Sequence, residues 1–232
     1  METPLILLHG ALGAADQMAP LKTNLAANFH QVFCLDFSGH GSAATDAAEF
    51  SISNFAHDVL HFMERHGIPH ADFFGYSMGG YVALELARIN PEKVRRIATL
   101  GTKFDWSPEV AAQTAATLNP EKWQSKAPAF VEMLQTRHGR ETWLQVVEKT
   151  KNMMLRLGQG DSLTAGQIAA VTHPTLVMVG TLDNTVGLDE SRQAAGWLPF
   201  GQFAELPDTK HPFEQVDLNL LTEQLIGFFQ RK

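Results

Sequence analysis

The chain has 232 residues, of which 44% are hydrophobic, and a formal net charge of −7 at pH 7. This length allows one α/β domain with a sizeable core, whereas the acidic balance, without any run of five Lys or Arg residues, argues against nucleic-acid partners and anionic membranes. The opening residues, METPLILLHG, lack the basic segment and the long apolar stretch of a signal peptide or membrane span, so we expect a cytoplasmic protein.

Short apolar segments of the chain predict β-strands. Several are nearly continuous apolar runs, which is typical of strands that are buried on both faces of a parallel sheet. The predicted strands are residues 5–8, 32–35, 72–74, 97–100, 176–179 and 202–206. Helical stripes lie between them, as in Phe55, Val59 and Phe62, and a last helical stretch covers residues 218–229. This alternation predicts an α/β fold with a doubly wound, mainly parallel sheet.

Residues 102–172 interrupt the alternation, because they contain several helical stretches and no convincing strand. We interpret them as a helical cap inserted into a core formed by residues 1–101 and 173–232. The apolar side chains of this region either pack the cap or line a pocket, where Met and Trp adapt to irregular ligands. The candidate pocket residues are Leu12, Tyr76, Phe104, Trp106, Trp123, Trp143 and Met154, with Met133, Met153 and Leu157 in the same apolar set.

The hexapeptide GYSMGG at residues 75–80 follows a predicted strand and precedes a helical stretch. A serine at such a strand-to-helix turn is held in a strained backbone conformation, with its side chain clear of the sheet. That geometry needs small neighbours, which Gly75 and Gly79 supply two residues before and two residues after Ser77. Because the pattern also occurs in ordinary glycine-rich turns, Ser77 is by this pattern alone either a nucleophile or a turn residue.

A nucleophilic serine needs a histidine to take its proton and an acid to orient that histidine. The chain offers both in the order Ser77, Asp183, His211. Asp183 follows a predicted strand and a glycine, and His211 lies between the last predicted strand and the final helix. Both are therefore expected at the carboxyl ends of strands, where open α/β sheets place their sites. The rivals for the acid are Asp105, Asp189 and Asp208.

The same chemistry needs two N–H donors for the oxyanion. The amide of Met78, directly after the serine, is one candidate. The amide of Ala11, in the loop after the first strand, is the other. The neighbouring His9 is then expected to tie down this loop rather than to transfer protons.

Five segments together resemble the cofactor-free serine hydrolase branch of the α/β-hydrolase superfamily. They are His9-Gly10, CLDFSGHGSA at residues 34–43, GYSMGG at residues 75–80, HPTLVMVGTLDNTV at residues 173–186, and His211-Pro212. The resemblance implies that Ser77 is the nucleophile, His211 the general base and acid, and Asp183 the orienting carboxylate. It also implies that Met78 and Ala11 form the oxyanion hole. Many members begin with an antiparallel strand pair that this chain lacks, so we expect about six parallel strands.

The remaining histidines and the single cysteine have plainer interpretations. His57 and His61 have the spacing of a helical metal pair, but they share a polar helix face and are expected in solvent. His40 is expected to fix a loop near the pocket mouth, with substrate contact as the alternative, and His173 to cap the start of a strand. Cys34 is expected to be a small buried residue in a reducing compartment rather than a thiol nucleophile.

A serine at the turn favours acyl transfer to water, so we expect a serine carboxylesterase that cleaves small esters or thioesters without a cofactor or metal, as a monomer or homodimer. One alternative is a carbon–carbon bond hydrolase or synthase of the same fold, which would need a cation near the pocket. The candidates for that cation are Lys103, Arg137, Arg140 and Arg156. A second alternative is a small-molecule receptor that retains the triad but turns over slowly.

Overall fold

The structure is a computed structural model, and it describes residues 3–43 and 49–231. The predicted core segments, residues 1–101 and 173–232, include residues 1, 2, 44–48 and 232, which lie outside the described residues. Within the described ranges, no helix has both the length and the apolar character needed to cross a membrane.

Six strands form one sheet in the described part of the chain. They are β1 Leu5–Leu8, β2 Val32–Cys34, β3 Ala71–Tyr76, β4 Val94–Leu100, β5 Thr175–Gly180 and β6 Gly201–Leu206. Every neighbouring pair is parallel, and the strand order is β2-β1-β3-β4-β5-β6. The predicted doubly wound, parallel sheet of about six strands is confirmed. The direction of winding changes between β1 and β3, which is where open α/β sheets form a crevice at the carboxyl ends of their strands.

Helices follow the strands and fill the segment between β4 and β5. They are α1 Ala15–Leu25, α2 Ile52–Arg65, α3 Met78–Ile89, α4 Pro108–Thr117, α5 Pro120–Lys126, α6 Pro128–His138, α7 Trp143–Arg156, α8 Ala165–Ala169, α9 Leu188–Trp197 and α10 Leu218–Phe229. Helices α4 to α8 lie within residues 102–172, where the structure has no strand among its described residues.

The core lies in two layers, one on each face of the sheet. Along β1, Leu5 and Leu7 pack in the layer under α1 and α10, whereas Ile6 and Leu8 pack in the layer under α2 and α3. All four side chains are fully buried. Burying one such side chain stabilises the fold by roughly 1.5–3 kcal/mol. With both faces covered, the carboxyl ends of the strands are left to carry the loops of a site.

Strand β4 begins three residues earlier than predicted, because its two charged residues find partners. The Arg95 guanidinium lies 2.7 Å from a carboxylate oxygen of the buried Asp72 on β3. Arg96 donates hydrogen bonds to the carbonyl oxygens of Phe228 and Phe229 at the end of α10. Charged residues next to an apolar run resemble a strand boundary in sequence, but here Arg95 compensates for the burial of Asp72 and both arginines are held by tertiary contacts.

Candidate active site

Ser77 lies at the turn between β3 and α3 and has φ 50° and ψ −116°. A positive φ at a residue other than glycine costs of order 1–3 kcal/mol and persists only where the surroundings enforce it. Here the Ser77 N–H donates to the Leu100 carbonyl at 2.8 Å, and the Thr102 hydroxyl donates to the Ser77 carbonyl at 2.8 Å. These bonds to β4 and to the residues just after it keep the serine in its strained conformation.

Close packing explains the glycines around the serine. A Cβ atom at Gly75 would collide with the backbone of Gly79 and Gly80, and one at Gly79 would collide with the Leu8 carbonyl at the end of β1. The turn is therefore pressed against both β1 and the start of its own helix. Only residues without a Cβ atom allow this approach.

The three residues of the predicted triad come together at the carboxyl edge of the sheet. The Ser77 Oγ atom lies 3.4 Å from His211 Nε2. On the other side of the ring, His211 Nδ1 lies 2.8 Å from Asp183 Oδ2. The first distance is longer than an ideal hydrogen bond, as is common between a nucleophile and its base before substrate binds.

Asp183 is built to remain ionised. Its Oδ1 atom accepts hydrogen bonds from the amides of Thr185 at 2.8 Å and Val186 at 2.9 Å. Burial by itself would raise the pKa of Asp183, but the hydrogen bonds from His211, Val186 and Thr185 outweigh it and hold the pKa below its usual range. The charged carboxylate holds the His211 ring in place through Nδ1.

The structure does not bring the rival acids to His211. Asp105 is exposed, and its carboxylate accepts a hydrogen bond from the amide of Ser107. Asp189 lies in the first turn of α9, and Asp208 is exposed on the loop before the histidine. Among the described residues, the carboxylate that contacts the His211 ring is that of Asp183.

The two candidate oxyanion donors lie on segments that meet at the serine. Met78 is the first residue of α3. A Cβ atom on Gly10 would lie 3.3 Å from Ser77 Cβ, so the loop that carries Ala11 runs directly beside the serine. Within the described residues, neither the Met78 amide nor the Ala11 amide donates to a protein acceptor. Both N–H groups are therefore free to bind a substrate oxygen.

His9 ties down the loop after β1, as the sequence predicts. Its Nδ1 atom donates to the Gly10 carbonyl at 2.8 Å, and its Nε2 atom accepts from the Phe37 amide at 3.3 Å. Complete burial lowers the pKa of His9 to about 4. A neutral imidazole with both nitrogens engaged in this way acts as a brace rather than a proton carrier.

A second histidine, His138 at the end of α6, was not singled out from the sequence. Its Nε2 atom donates to the Leu12 carbonyl at 2.9 Å, and its Nδ1 atom accepts from the Gly41 amide at 3.1 Å. It therefore connects the helical segment to the loop that carries Ala11. The contact spans 126 residues of sequence, and no local pattern marks it.

A cavity of about 220 Å³ opens beside the serine and the histidine. Its lining includes Ser77, Met78, His211 and Val186 from the sheet edge and residues from α4 and α7. Of the candidate pocket residues, Trp106 and Met154 line it, together with Met153 and Leu157 of the same apolar set. The lining residues that were not predicted for the pocket are Ile52, Tyr81, Thr114, Thr117, Leu118, Thr185 and Val186.

Five of the candidate pocket residues do not line this cavity. Trp143, Phe104 and Leu12 are 2%, 5% and 7% exposed and belong to the hydrophobic core. The Trp123 ring packs edge-on against Phe130, with centroids 5.1 Å apart. Tyr76 is buried, and its hydroxyl donates to the His211 carbonyl at 2.8 Å. The packing of each side chain, which apolar composition does not reveal, takes it away from the cavity.

The structure also separates the four candidate cations. Lys103 lines the cavity, and its ammonium forms a long ion pair of 3.9 Å with Glu190. The Arg137 side chain is ion-paired with Asp16 and Glu214. The Arg156 side chain is ion-paired with Glu49 and Asp161. It also donates a hydrogen bond to the Phe50 carbonyl. Arg140 is exposed. Of the four, Lys103 is the one that lines the cavity beside the serine.

The remaining candidates take no part in this site. His57 and His61 are exposed on α2, and within the described ranges no group of three His, Cys, Asp or Glu residues could hold a metal ion. His40 is fully buried among aromatic rings. His173, beside the start of β5, donates a hydrogen bond to the Pro91 carbonyl at 3.0 Å. Cys34 is partly rather than fully buried, and burial raises the pKa of its thiol to about 11.

Fold and site together define a hydrolase of the α/β class, and sequence comparison gives the family. The profile of the family described as alpha/beta hydrolase fold matches residues 3–138, so the chain belongs to that family. RutD of Azorhizobium caulinodans, a carbamate hydrolase by name, is 26% identical over 97% of this chain and 91% of its own length.

Two solved structures share the fold over nearly the whole chain. NosK from Streptomyces actuosus has a TM-score of 0.86 at 24% identity, over 99% of this chain and 98% of its own. The enol-lactonase from Burkholderia xenovorans LB400 has a TM-score of 0.79 at 21% identity, over 100% of this chain and 92% of its own. The order and the parallel pairing of the strands in this chain agree with that relationship.

Proposed function

We propose that the protein is a carboxylesterase that cleaves small carboxylic esters or thioesters through an acyl-enzyme on Ser77. The observation that carries this proposal is the continuous chain of contacts from Ser77 Oγ to His211 Nε2 and from His211 Nδ1 to Asp183 Oδ2. A serine is a weak nucleophile without a base at this distance and an acid that orients the base. The names of relatives, which include an esterase and an enol-lactonase, support acyl chemistry.

In the first half-reaction, His211 takes the proton from Ser77 as Oγ attacks the carbonyl carbon. The tetrahedral oxyanion is stabilised by the amides of Met78 and Ala11, and Asp183 stabilises the imidazolium. His211 then gives its proton to the leaving alcohol or thiol, and the acyl group stays on Ser77. In the second half-reaction, His211 activates a water molecule, which releases the acid and regenerates the serine.

Helices α4 to α8 act in this proposal as a cap on the core. Residues of α4 and α7 line the cavity beside the serine, and His138 of α6 bonds to the loop that carries Ala11. A cavity of about 220 Å³ is below the range of roughly 300–1,000 Å³ for drug-sized ligands. The expected substrates are therefore esters or thioesters with short acyl and alkyl groups.

The decisive experiment compares the wild type with Ser77→Ala on p-nitrophenyl esters of increasing acyl length, with a fluorophosphonate label in parallel. We expect the wild type to label and to turn over short esters best, and Ser77→Ala to do neither. A folded Ser77→Ala variant that keeps wild-type turnover would contradict the proposal. A wild type that labels but releases product once would favour the slow-turnover receptor instead.

Carbon–carbon bond hydrolysis is the second candidate, because Lys103 supplies the cation that such acidic, diketone-like substrates need. It uses the same three residues, so substrates separate the two functions. Turnover of a vinylogous 1,5-diketone acid with no turnover of any ester would favour this second candidate.

A further inference from the structure

Lys103 is the unusual member of an otherwise uncharged cavity wall. Among the described lining residues, it is the one Lys, Arg, Asp or Glu, and the rest besides His211 are apolar or hydroxyl-bearing. Its side chain is 14% exposed, so most of it lies against other parts of the protein. A cation in such surroundings interacts more strongly with an anion than it would on an open surface.

The position of Lys103 is held by the same contacts that hold the nucleophile. The preceding residue, Thr102, donates a hydrogen bond to the Ser77 carbonyl at 2.8 Å. The Lys103 carbonyl accepts from the indole N–H of Trp106 at 3.1 Å. A group bound by this lysine would therefore lie at a defined place relative to the serine.

Lys103 forms a long ion pair with Glu190, but this pair takes up none of its N–H donors in a hydrogen bond. Its Nζ atom lies 3.9 Å from Glu190 Oε2, beyond hydrogen-bond distance. The other oxygen, Oε1 of Glu190, accepts hydrogen bonds from the amides of Phe104 and Asp105. Within the described residues no acceptor lies within hydrogen-bond distance of the Lys103 ammonium, so its three N–H donors are available to a ligand.

We propose that Lys103 selects substrates that carry a carboxylate close to the scissile carbonyl. This inference rests on the proposed acyl hydrolysis at Ser77 and names its substrate class. One ammonium in a cavity of about 220 Å³ suits a small monoanion, whereas a phosphate dianion would use several cations or N–H donors. A hydrogen bond between charged groups in this setting corresponds to a preference of about 10- to 100-fold.

The test uses pairs of esters in which a methyl ketone replaces the carboxylate with nearly the same shape. For a carboxylate on the acyl side, the pair is monomethyl succinate and methyl levulinate. For a carboxylate on the alcohol side, the pair is acetoxyacetate and acetoxyacetone. We expect kcat/KM to favour the anionic ester by about 10- to 100-fold in at least one pair, measured as proton release in a pH-stat.

Variants assign the preference to Lys103. Lys103→Met keeps the length of the side chain without its charge and is expected to reduce the preference ratio to near one, whereas Lys103→Arg should retain part of it. Lys122→Met, on the exposed surface of α5, makes the same change in net charge and should leave the ratio unchanged. Circular dichroism checks that each variant is folded.

Two results would overturn the proposal while leaving acyl hydrolysis intact. They are equal kcat/KM values within both pairs, or a preference that Lys103→Met and Lys103→Arg both leave unchanged. If the wild type cleaves no ester at all, the proposed function fails, and calorimetric titration then tests Lys103 separately. Binding of monomethyl succinate no tighter than binding of methyl levulinate would overturn the proposal in that case too.

Discussion

The hydroxyl of Tyr76 donates a hydrogen bond of 2.8 Å to the main-chain carbonyl of His211. The residue directly before the nucleophile thus holds the loop of the histidine that faces the nucleophile. The two rings are also in contact, with centroids 5.5 Å apart. Because the Tyr76 side chain is buried, its phenol has little freedom to move, and burial raises its pKa above the ordinary value.

Removing this hydroxyl should misplace the histidine. For Tyr76→Phe we expect kcat to fall by about tenfold with KM little changed, because the loss affects the orientation of His211 rather than the cavity. The free energy of unfolding should fall by about 1 kcal/mol. Steady-state kinetics and urea unfolding measure the two effects.

Tyr81→Phe is the matched control for stability. It also removes one buried phenolic hydroxyl, which accepts a hydrogen bond from the Leu163 amide and does not contact His211. Wild-type kcat in Tyr76→Phe, at a loss of stability equal to that of the control, would show that Tyr76 has only a structural role.

Replacing the orienting carboxylate should nearly abolish turnover. For Asp183→Asn we expect kcat to fall by about 10³- to 10⁴-fold, because the amide cannot stabilise the imidazolium and favours the wrong tautomer. Asp105→Asn and Asp208→Asn remove two of the three rival carboxylates and should remain within about twofold of the wild type. A large loss in either control, with an active Asp183→Asn, would assign the acid elsewhere.

The strain at Ser77 should be measurable as stability. Glycine adopts φ 50° without the penalty of a Cβ atom. We therefore expect the free energy of unfolding of Ser77→Gly to be about 1 kcal/mol higher than that of Ser77→Ala. Both variants lack the hydroxyl, so loss of the nucleophile is the same in each. Thermal unfolding of the two proteins side by side tests this, and a Ser77→Ala variant at least as stable as Ser77→Gly would contradict it.

His138 should affect catalysis although it lies outside the triad. It holds the Leu12 carbonyl, next to the candidate oxyanion donor Ala11. For His138→Phe, which keeps a ring but loses both hydrogen bonds, we expect kcat to fall by about tenfold or more. His57→Gln, on the exposed side of α2, serves as the control histidine. Unchanged kcat in a folded His138→Phe variant would exclude a positioning role.

Buried histidines should make the protein sensitive to mild acid. Burial lowers the pKa of His9 from 6.5 to about 4, and burial also lowers the pKa values of His40 and His138. Between pH 6.5 and pH 4 the unfolded chain therefore binds more protons than the folded protein, so stability is complete above pH 6.5 and decreases as the pH falls. For His9 alone, the free energy of unfolding below about pH 4 should be lower than that above pH 6.5 by on the order of 3 kcal/mol.

Urea unfolding at several pH values between 8 and 5 measures this loss. In His9→Asn the dependence on pH should be less steep, because one of the three buried imidazoles is absent. A variant whose unfolding free energy changes with pH as steeply as that of the wild type would show that His9 is not responsible.

The sequence by itself determined the sheet and the proximity of the three residues of the predicted triad. Nearly continuous apolar runs such as residues 176–179 are readable because both faces of a parallel strand are buried. The carboxyl ends of parallel strands lie at one edge, so residues that follow different strands, such as Ser77 after β3 and Asp183 after β5, meet there although they are far apart in the chain. Strand position along the chain was enough to predict their proximity.

The cavity and its supports were decided only by the tertiary structure. Trp106 and Trp143 are both aromatic residues of the helical segment, yet one lines the cavity and the other is in the core. Whether a side chain faces the cavity or the core depends on the surfaces that pack against its segment. The composition of the segment does not specify those surfaces. For the same reason, the sequence did not reveal the role of His138 and did not separate Lys103 from the three arginines, because packing rather than residue type decides which side chain lines the cavity.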